Sequence, residues 1–192
     1  MSDTFWQRGF AVVEDMVSPL HLAMLTKGMD VAHEQGGLNE EVESLAIGSS
    51  GAYSPVPGEM LLRHCRSRFE GIIGRDLIEH NAYWRWYRSG SSLRAHKDRT
   101  GCEITASVTI DSPSDAAPWP LMVTDLEGTT HSVMLPPGAG VVFLGSDLEH
   151  WGEPLEADWQ KQLFLHYVIK DGDFAHRAFD QRGADPLVRV TV

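Results

Sequence analysis

The sequence predicts a mainly β domain, a single barrel or sandwich with helices packed on its outside. Three observations carry this reading. Helical patterns end at Gly74, six short strand-like segments follow, and turn residues punctuate them. Helices first and many short strands afterwards favour one β architecture with the helices laid against it.

Taken in order, Met1 to Gly9 is polar and charged and lacks the apolar run of a signal peptide. Phe10 to Glu14 reads as a short strand. Ser18 then caps a helix over about Leu20 to His33, with Pro19 at its first position. Met24, Leu25 and Met29 are its expected buried stripe. From Gly36 to Gly58 the periodicity is broken by Gly48, Gly51, Pro55 and Pro57, which predicts a long loop with room for a short strand in it. A second helix is expected over Glu59 to Gly74. Strands follow at Ala82 to Tyr87, Glu103 to Ile110, Leu121 to Thr124, Thr130 to Leu135, Gly140 to Leu144 and Lys161 to Ile169. Ser89-Gly90, Ser112-Pro113, Glu127-Gly128 and Pro136-Pro137-Gly138 are the turn signals between them. The chain therefore reads as one domain over 1–192, with a support region of about 1–80, a core of about 82–170 and a tail of 171–192.

Composition narrows the function classes. With 192 residues, 42% hydrophobic and 22% charged, the chain can bury one full core and is ordinary for a soluble globular protein. Cys65 and Cys102 form no disulfide framework or zinc knuckle, which favours a reducing compartment. No apolar stretch is long enough to cross a bilayer, so a cytoplasmic location is expected and no membrane partner. A net charge of -11, with acidic runs at Glu40, Glu41, Glu43 and at Glu153, Glu156, Asp158, argues against nucleic acid as a partner.

His96 and Asp98 are two apart, so in extended backbone both side chains point the same way. His150 follows Asp98 by 52 residues, after an apolar strand and a short turn. Two histidines and a carboxylate can occupy one face of an octahedral iron and leave the other positions for ligands. A pair spaced this way arises often by chance, and the setting of the distant histidine is what gives it weight.

The segment from about Trp84 to Ile169 resembles the catalytic core of the prolyl 4-hydroxylase-like branch of iron(II)/2-oxoglutarate oxygenases. The matching features are Tyr87, Gly90, His96, Asp98, Pro137-Gly138, His150 and Lys161, in that order. The resemblance implies a double-stranded β-helix, or jelly roll, with N-terminal helices preceding the core strands and packed outside it. It implies Fe(II) held by His96, Asp98 and His150, with 2-oxoglutarate and O2 as cosubstrates. Tyr87 and Lys161 are then expected to anchor the remote carboxylate of 2-oxoglutarate. Without the resemblance, Lys161 is an edge lysine and Tyr87 a core residue. Because Asp98 is present, hydroxylation is favoured over halogenation.

Arg94, Arg99, Glu103 and Trp151 are the weaker candidates, as substrate contacts or a cavity wall. An Arg99 to Glu103 ion pair is the plain alternative for those two. His166, out of phase with Lys161, is expected to face the opposite side of its strand. The expected activity is hydroxylation of an unactivated C–H bond in a small polar molecule, such as an amino acid or natural-product intermediate, releasing succinate and carbon dioxide. The alternatives are a prolyl or other peptidyl hydroxylase acting on a protein, a cupin-like metal protein that does not use 2-oxoglutarate, and a non-catalytic binding module. Either a monomer or a homodimer is compatible with the sequence.

Overall fold

The computed structural model describes residues 2–40 and 45–181. Glu41 and Glu43 of the first acidic run, and the tail beyond Gln181, lie outside the described residues. The chain begins with a helix, α1 (Ser2–Arg8), where the polar sequence gave no expectation of one. Phe5 is buried, and the indole of Trp6 donates to the Ile73 carbonyl (2.8 Å), which ties the helix to the end of the later helix at Ile73.

Strand β1 (Phe10–Val13) leads to α2 (Pro19–Glu34), whose first turn is capped by the Ser18 hydroxyl accepting from the His21 N–H (3.3 Å). Leu25 and Met29 are its buried residues, whereas Met24 is 59% exposed and does not belong to the stripe. Helix α3 (Val56–Ile73) starts three residues earlier than expected and ends where Gly74 takes φ 72°, a left-handed cap. Its buried Glu59 accepts from the Ala82 N–H (2.9 Å), which fixes the helix to the sheet behind it.

Between the helices, part of the expected loop is strand: β2 (Asn39–Glu40) and the eight-residue β3 (Ala46–Tyr53). Its small residues hid it. They are small because a neighbour needs the room: a Cβ on Gly51 would stand 2.5 Å from the Tyr83 hydroxyl. The remaining strands are β4 (Leu77–His96), β5 (Ile104–Asp111), β6 (Leu121–Thr124), β7 (Thr130–Val133), β8 (Gly140–Leu144), β9 (His150–Gly152) and β10 (Trp159–Ile169).

All pairings are antiparallel, in the order β1-β8-β5-β10-β4-β9-β6-β7, with β3 also on β4. The sheet rolls into a nearly closed barrel, a jelly roll with the helices outside. Strand β4 belongs to both walls. Its first part pairs with β10 and β3, and its last residues pair with β9. Ser89-Gly90 is therefore no hairpin turn. Residues 88–91 bulge opposite Gly48 alone, with Gly90 at φ 79° and the Ser91 hydroxyl accepting from Arg88 N–H and donating to the Gly48 carbonyl.

The apolar core lies between barrel and helices. On β5, Ile104, Ala106, Val108 and Ile110 are buried in it, and on β10 Leu163, Leu165 and Tyr167 join them. The alternate residues, Thr105, Ser107 and Thr109 on β5 and Gln160, Gln162 and His166 on β10, are also buried but polar. They face each other inside the barrel: Thr105 is opposite His166, and Thr109 opposite Gln162. Both cysteines are buried and free. No helix among the described residues is long and apolar enough to cross a membrane.

Candidate active site

The bulge in β4 brings its end alongside β9, so that His96 and His150 are cross-strand partners. Their rings are 4.3 Å apart, centroid to centroid. Each Nδ1 contacts a backbone carbonyl, His96 that of Arg94 (2.8 Å) and His150 that of Leu148 (3.0 Å). A carbonyl only accepts, so Nδ1 carries the proton in both rings and the lone pair of the neutral imidazole sits on Nε2. Both Nε2 atoms converge on Asp98 Oδ1, at 3.6 and 3.7 Å. That is beyond hydrogen-bond length and leaves the three donor atoms within 4.8 Å of one another.

Asp98 is held from behind. Its N–H donates to the Gly145 carbonyl (2.8 Å), and its Oδ2 accepts from the Thr105 hydroxyl (2.7 Å). With that proton committed, the Thr105 oxygen accepts from His166 Nδ1 (3.0 Å). Gly145 has no room for a side chain: a Cβ would lie 2.4 Å from both the Cys102 carbonyl oxygen and Thr105 Oγ1, and 2.5 Å from Asp98 Oδ2.

The electrostatics agree with a cation site. Burial disfavours a charged Asp98, yet His96, His150, His166 and the Thr105 hydroxyl together hold its carboxyl below the usual range. Burial also pulls His96 down, but adjacent Asp98 reverses this and raises it above its ordinary value. Burial dominates at His150, which is lowered, and pushes His166 down to about 4. Two imidazole nitrogens and one carboxylate on one side, with a cavity on the other, match the donor set of non-haem iron(II). The residues present fit that ion.

The cavity beside the triad has a volume of about 110 Å³. Its walls are Tyr83, Arg85, Tyr87, Leu93, Thr105, Phe164 and His166, together with the three candidate ligands. Tyr87 of the expected anchoring pair is among them, fully buried with its ring against Trp119. Lys161 is not. The ammonium of Lys161 lies on the outer face of β10, 2.5 Å from Asp30 Oδ1 of α2 and 3.9 Å from Asp111, over the rings of Trp86 and Trp159. The strand alternates, so Lys161 and His166 do face opposite sides, but it is His166 that faces the cavity.

The weaker candidates also fall outside the lining. Arg94 contributes its carbonyl to His96, and Trp151 donates its indole N–H to Glu153 (2.9 Å). Glu103 accepts from the Ile169 N–H (2.8 Å) and is no partner of Arg99. The Arg99 guanidinium instead bonds Asp180 (3.0 Å), which also accepts from the Tyr53 hydroxyl and faces His80. The described part of the tail thus wraps the barrel beside the site.

Arg85, His166, Thr105 and Gly145 had no functional expectation from sequence. A signal for Arg85 was present: it stands two residues before Tyr87 and so shares its face.

No family model matches the chain, and no curated protein matches it in sequence. Solved structures do. A prolyl-4-hydroxylase of Pseudomonas putida superposes with a TM-score of 0.71 at 16% identity, over 88% of this chain and 96% of that one. SnoK, a non-heme alpha-ketoglutarate-dependent carbocyclase of nogalamycin biosynthesis, gives 0.72 at 11% identity over 88% and 83%. A prolyl hydroxylase of Trichoplax adhaerens, solved with a hypoxia-inducible-factor peptide fragment, gives 0.68 at 12% identity over 88% and 87%. The chain has the fold of the 2-oxoglutarate/iron(II) oxygenases, shared here with a carbocyclase as well as with hydroxylases.

Proposed function

We propose that this protein is an iron(II)- and 2-oxoglutarate-dependent dioxygenase that oxidises, most simply hydroxylates, a small polar molecule such as an amino acid or natural-product intermediate. The observation that carries the reading is the convergence of His96 Nε2, His150 Nε2 and Asp98 Oδ1 beside a cavity in the barrel. Iron(II) bound there with 2-oxoglutarate supplies the oxygen-activating chemistry, with succinate and carbon dioxide as the co-products.

The chain's own contribution is positional. Backbone carbonyls fix both imidazole tautomers, and Thr105 and Gly145 fix the carboxylate rotamer, so the donor atoms are preset before a metal arrives. The likeness to a carbocyclase of natural-product biosynthesis supports a small substrate, while a hydroxylase solved with a peptide fragment shares the same fold.

A second reading is favoured by one observation. Lys161 faces away from the cavity, which suits a cupin-like metal protein that does not use 2-oxoglutarate. Anaerobic titration of iron(II) and then 2-oxoglutarate into the metal-free protein separates the two. The oxygenase predicts a weak visible charge-transfer band that requires both ligands and is absent in His96→Ala. Iron binding without the band would favour the second reading, and no iron binding would sink both.

A further inference from the structure

Helix α2 carries a second apolar stripe, on the side turned away from the barrel, and the exposed Met24 belongs to it. Leu20, Met24, Lys27 and Val31 recur at intervals of four, three and four residues, which keeps them on one side of the helix, opposite Leu25 and Met29. On α3, Val56, Met60, Arg63 and Ser67 recur at the same intervals. The five apolar members are 47–69% exposed. The two stripes lie side by side. The His21 and His64 rings are 4.9 Å apart, and a Cβ on Gly28 would stand 3.4 Å from Pro57 Cγ. The helices therefore run antiparallel, with Met24 level with Met60 and Val31 near the level of Val56.

We propose that a second copy of the chain covers this face, in a two-fold dimer that stacks α2 on α2 and α3 on α3, each pair antiparallel. Charge selects the occupant. At -11 the chain repels its own kind over most of its surface, and a copy can approach only where acid is missing. The outward positions of both stripes hold no Asp or Glu. Glu59 of α3 is buried, and Lys27 is already 3.9 Å from Asp30 of its own helix.

The face is also complementary to itself. Intervals of four, three and four read the same in both directions. Antiparallel α2 helices thus set Leu20 of one copy on Val31 of the other, and Met24 on the aliphatic stem of Lys27. The same two-fold axis brings the two Met60 side chains together between the α3 helices. Size agrees as well. Helices of 16 and 18 residues are about 24 and 27 Å long, and a pair of them is about 20 Å across. That footprint of roughly 500 Å² in projection, ridged by side chains, approaches the accessible area of about 800 Å² per partner in a standard interface. The cavity and the triad lie inside the barrel, so the contact leaves both open.

Sedimentation velocity of the full-length protein over about 1–100 µM tests this. Wild type should sediment at twice the mass of the chain at the upper concentrations. Leu20→Glu combined with Val31→Glu sets acid against acid at both ends of the α2 seam and should weaken the dimer by more than about 100-fold. Leu20→Glu combined with Val31→Lys sets opposite charges there and should restore it. Val12→Glu, at a 48% exposed apolar residue of β1 outside the face, should leave the dimer intact. All the substituted side chains are exposed, and circular dichroism on each variant controls for folding. A wild type that stays monomeric throughout would overturn the proposal and leave the face to a different protein. A dimer that survives the double glutamate variant would overturn it by putting the contact elsewhere, and failure of the opposite-charge pair to restore the dimer would overturn the antiparallel seam.

Discussion

The two faces of β10 carry charge in opposite ways. On the outer face, the Lys161 ammonium is closed in by Asp30, Asp111 and two indoles, so every charge there already has its partner. On the inner face, His166 and Thr105 end in a carboxylate whose free oxygen points at two imidazole nitrogens, none of them within hydrogen-bond length. A cluster that satisfies itself supports a structure. One whose donor atoms converge without bonding each other leaves coordination to something else.

Four substitutions test that contrast, in falling order of expected effect. Asp98→Ala removes the central donor and should weaken iron(II) binding by more than about 100-fold, as read by equilibrium dialysis. Unchanged affinity would mean that the triad is not the metal site.

The second concerns acid. His166 is neutral in the fold, with its pKa pushed by burial from 6.5 down to about 4, so below 6.5 the unfolded chain takes up a proton that the folded chain refuses. The stability of the metal-free protein should therefore fall as pH drops from 6.5 toward 4, by on the order of 3 kcal/mol from this group. Urea midpoints of His166→Gln across that window should fall less steeply, and identical slopes would count against the assignment.

Lys161→Met comes third. It leaves Asp30 and Asp111 without their shared cation at a partly exposed boundary, which should cost about 1–2 kcal/mol in urea unfolding. Iron(II) affinity should not change; a large loss of it would blur the distinction between the two faces. Thr105→Val is the mildest. Loss of its hydroxyl should loosen Asp98 and lower iron(II) affinity by about tenfold, with little change in fold by circular dichroism.

Much of the architecture was legible. Leu121–Thr124 and Gly140–Leu144 have the same bounds in the sequence pattern and in the structure, since turn residues border both. β3 was not legible, because Gly48, Ser49, Ser50 and Gly51 carry no strand signal, and the room that Gly51 leaves is taken by Tyr83. The triad was legible because His96 and Asp98 are in phase and His150 follows an apolar strand.

Lys161 misled for a physical reason. In most half-buried strands the apolar face looks inward, and Lys161 is in phase with Leu163 and Leu165. Here both faces are buried. The apolar one packs under helices, and the polar one, with Gln160, Gln162 and His166, lines the barrel. Alternation gives the phase of such a strand but not which phase is the interior.

The pairing of His96 with His150 has a consequence for mechanics as well as chemistry. β4 and β9 meet along only a short ladder, at Leu93–Gly152 and His96–His150. An ion bound to one histidine from each strand is a removable cross-link at that seam. Occupied a hundredfold above its dissociation constant, it would add about 2.7 kcal/mol to the folded state. The strength of that short joint would then follow the supply of iron, and loss of the ion would loosen the β4–β9 seam.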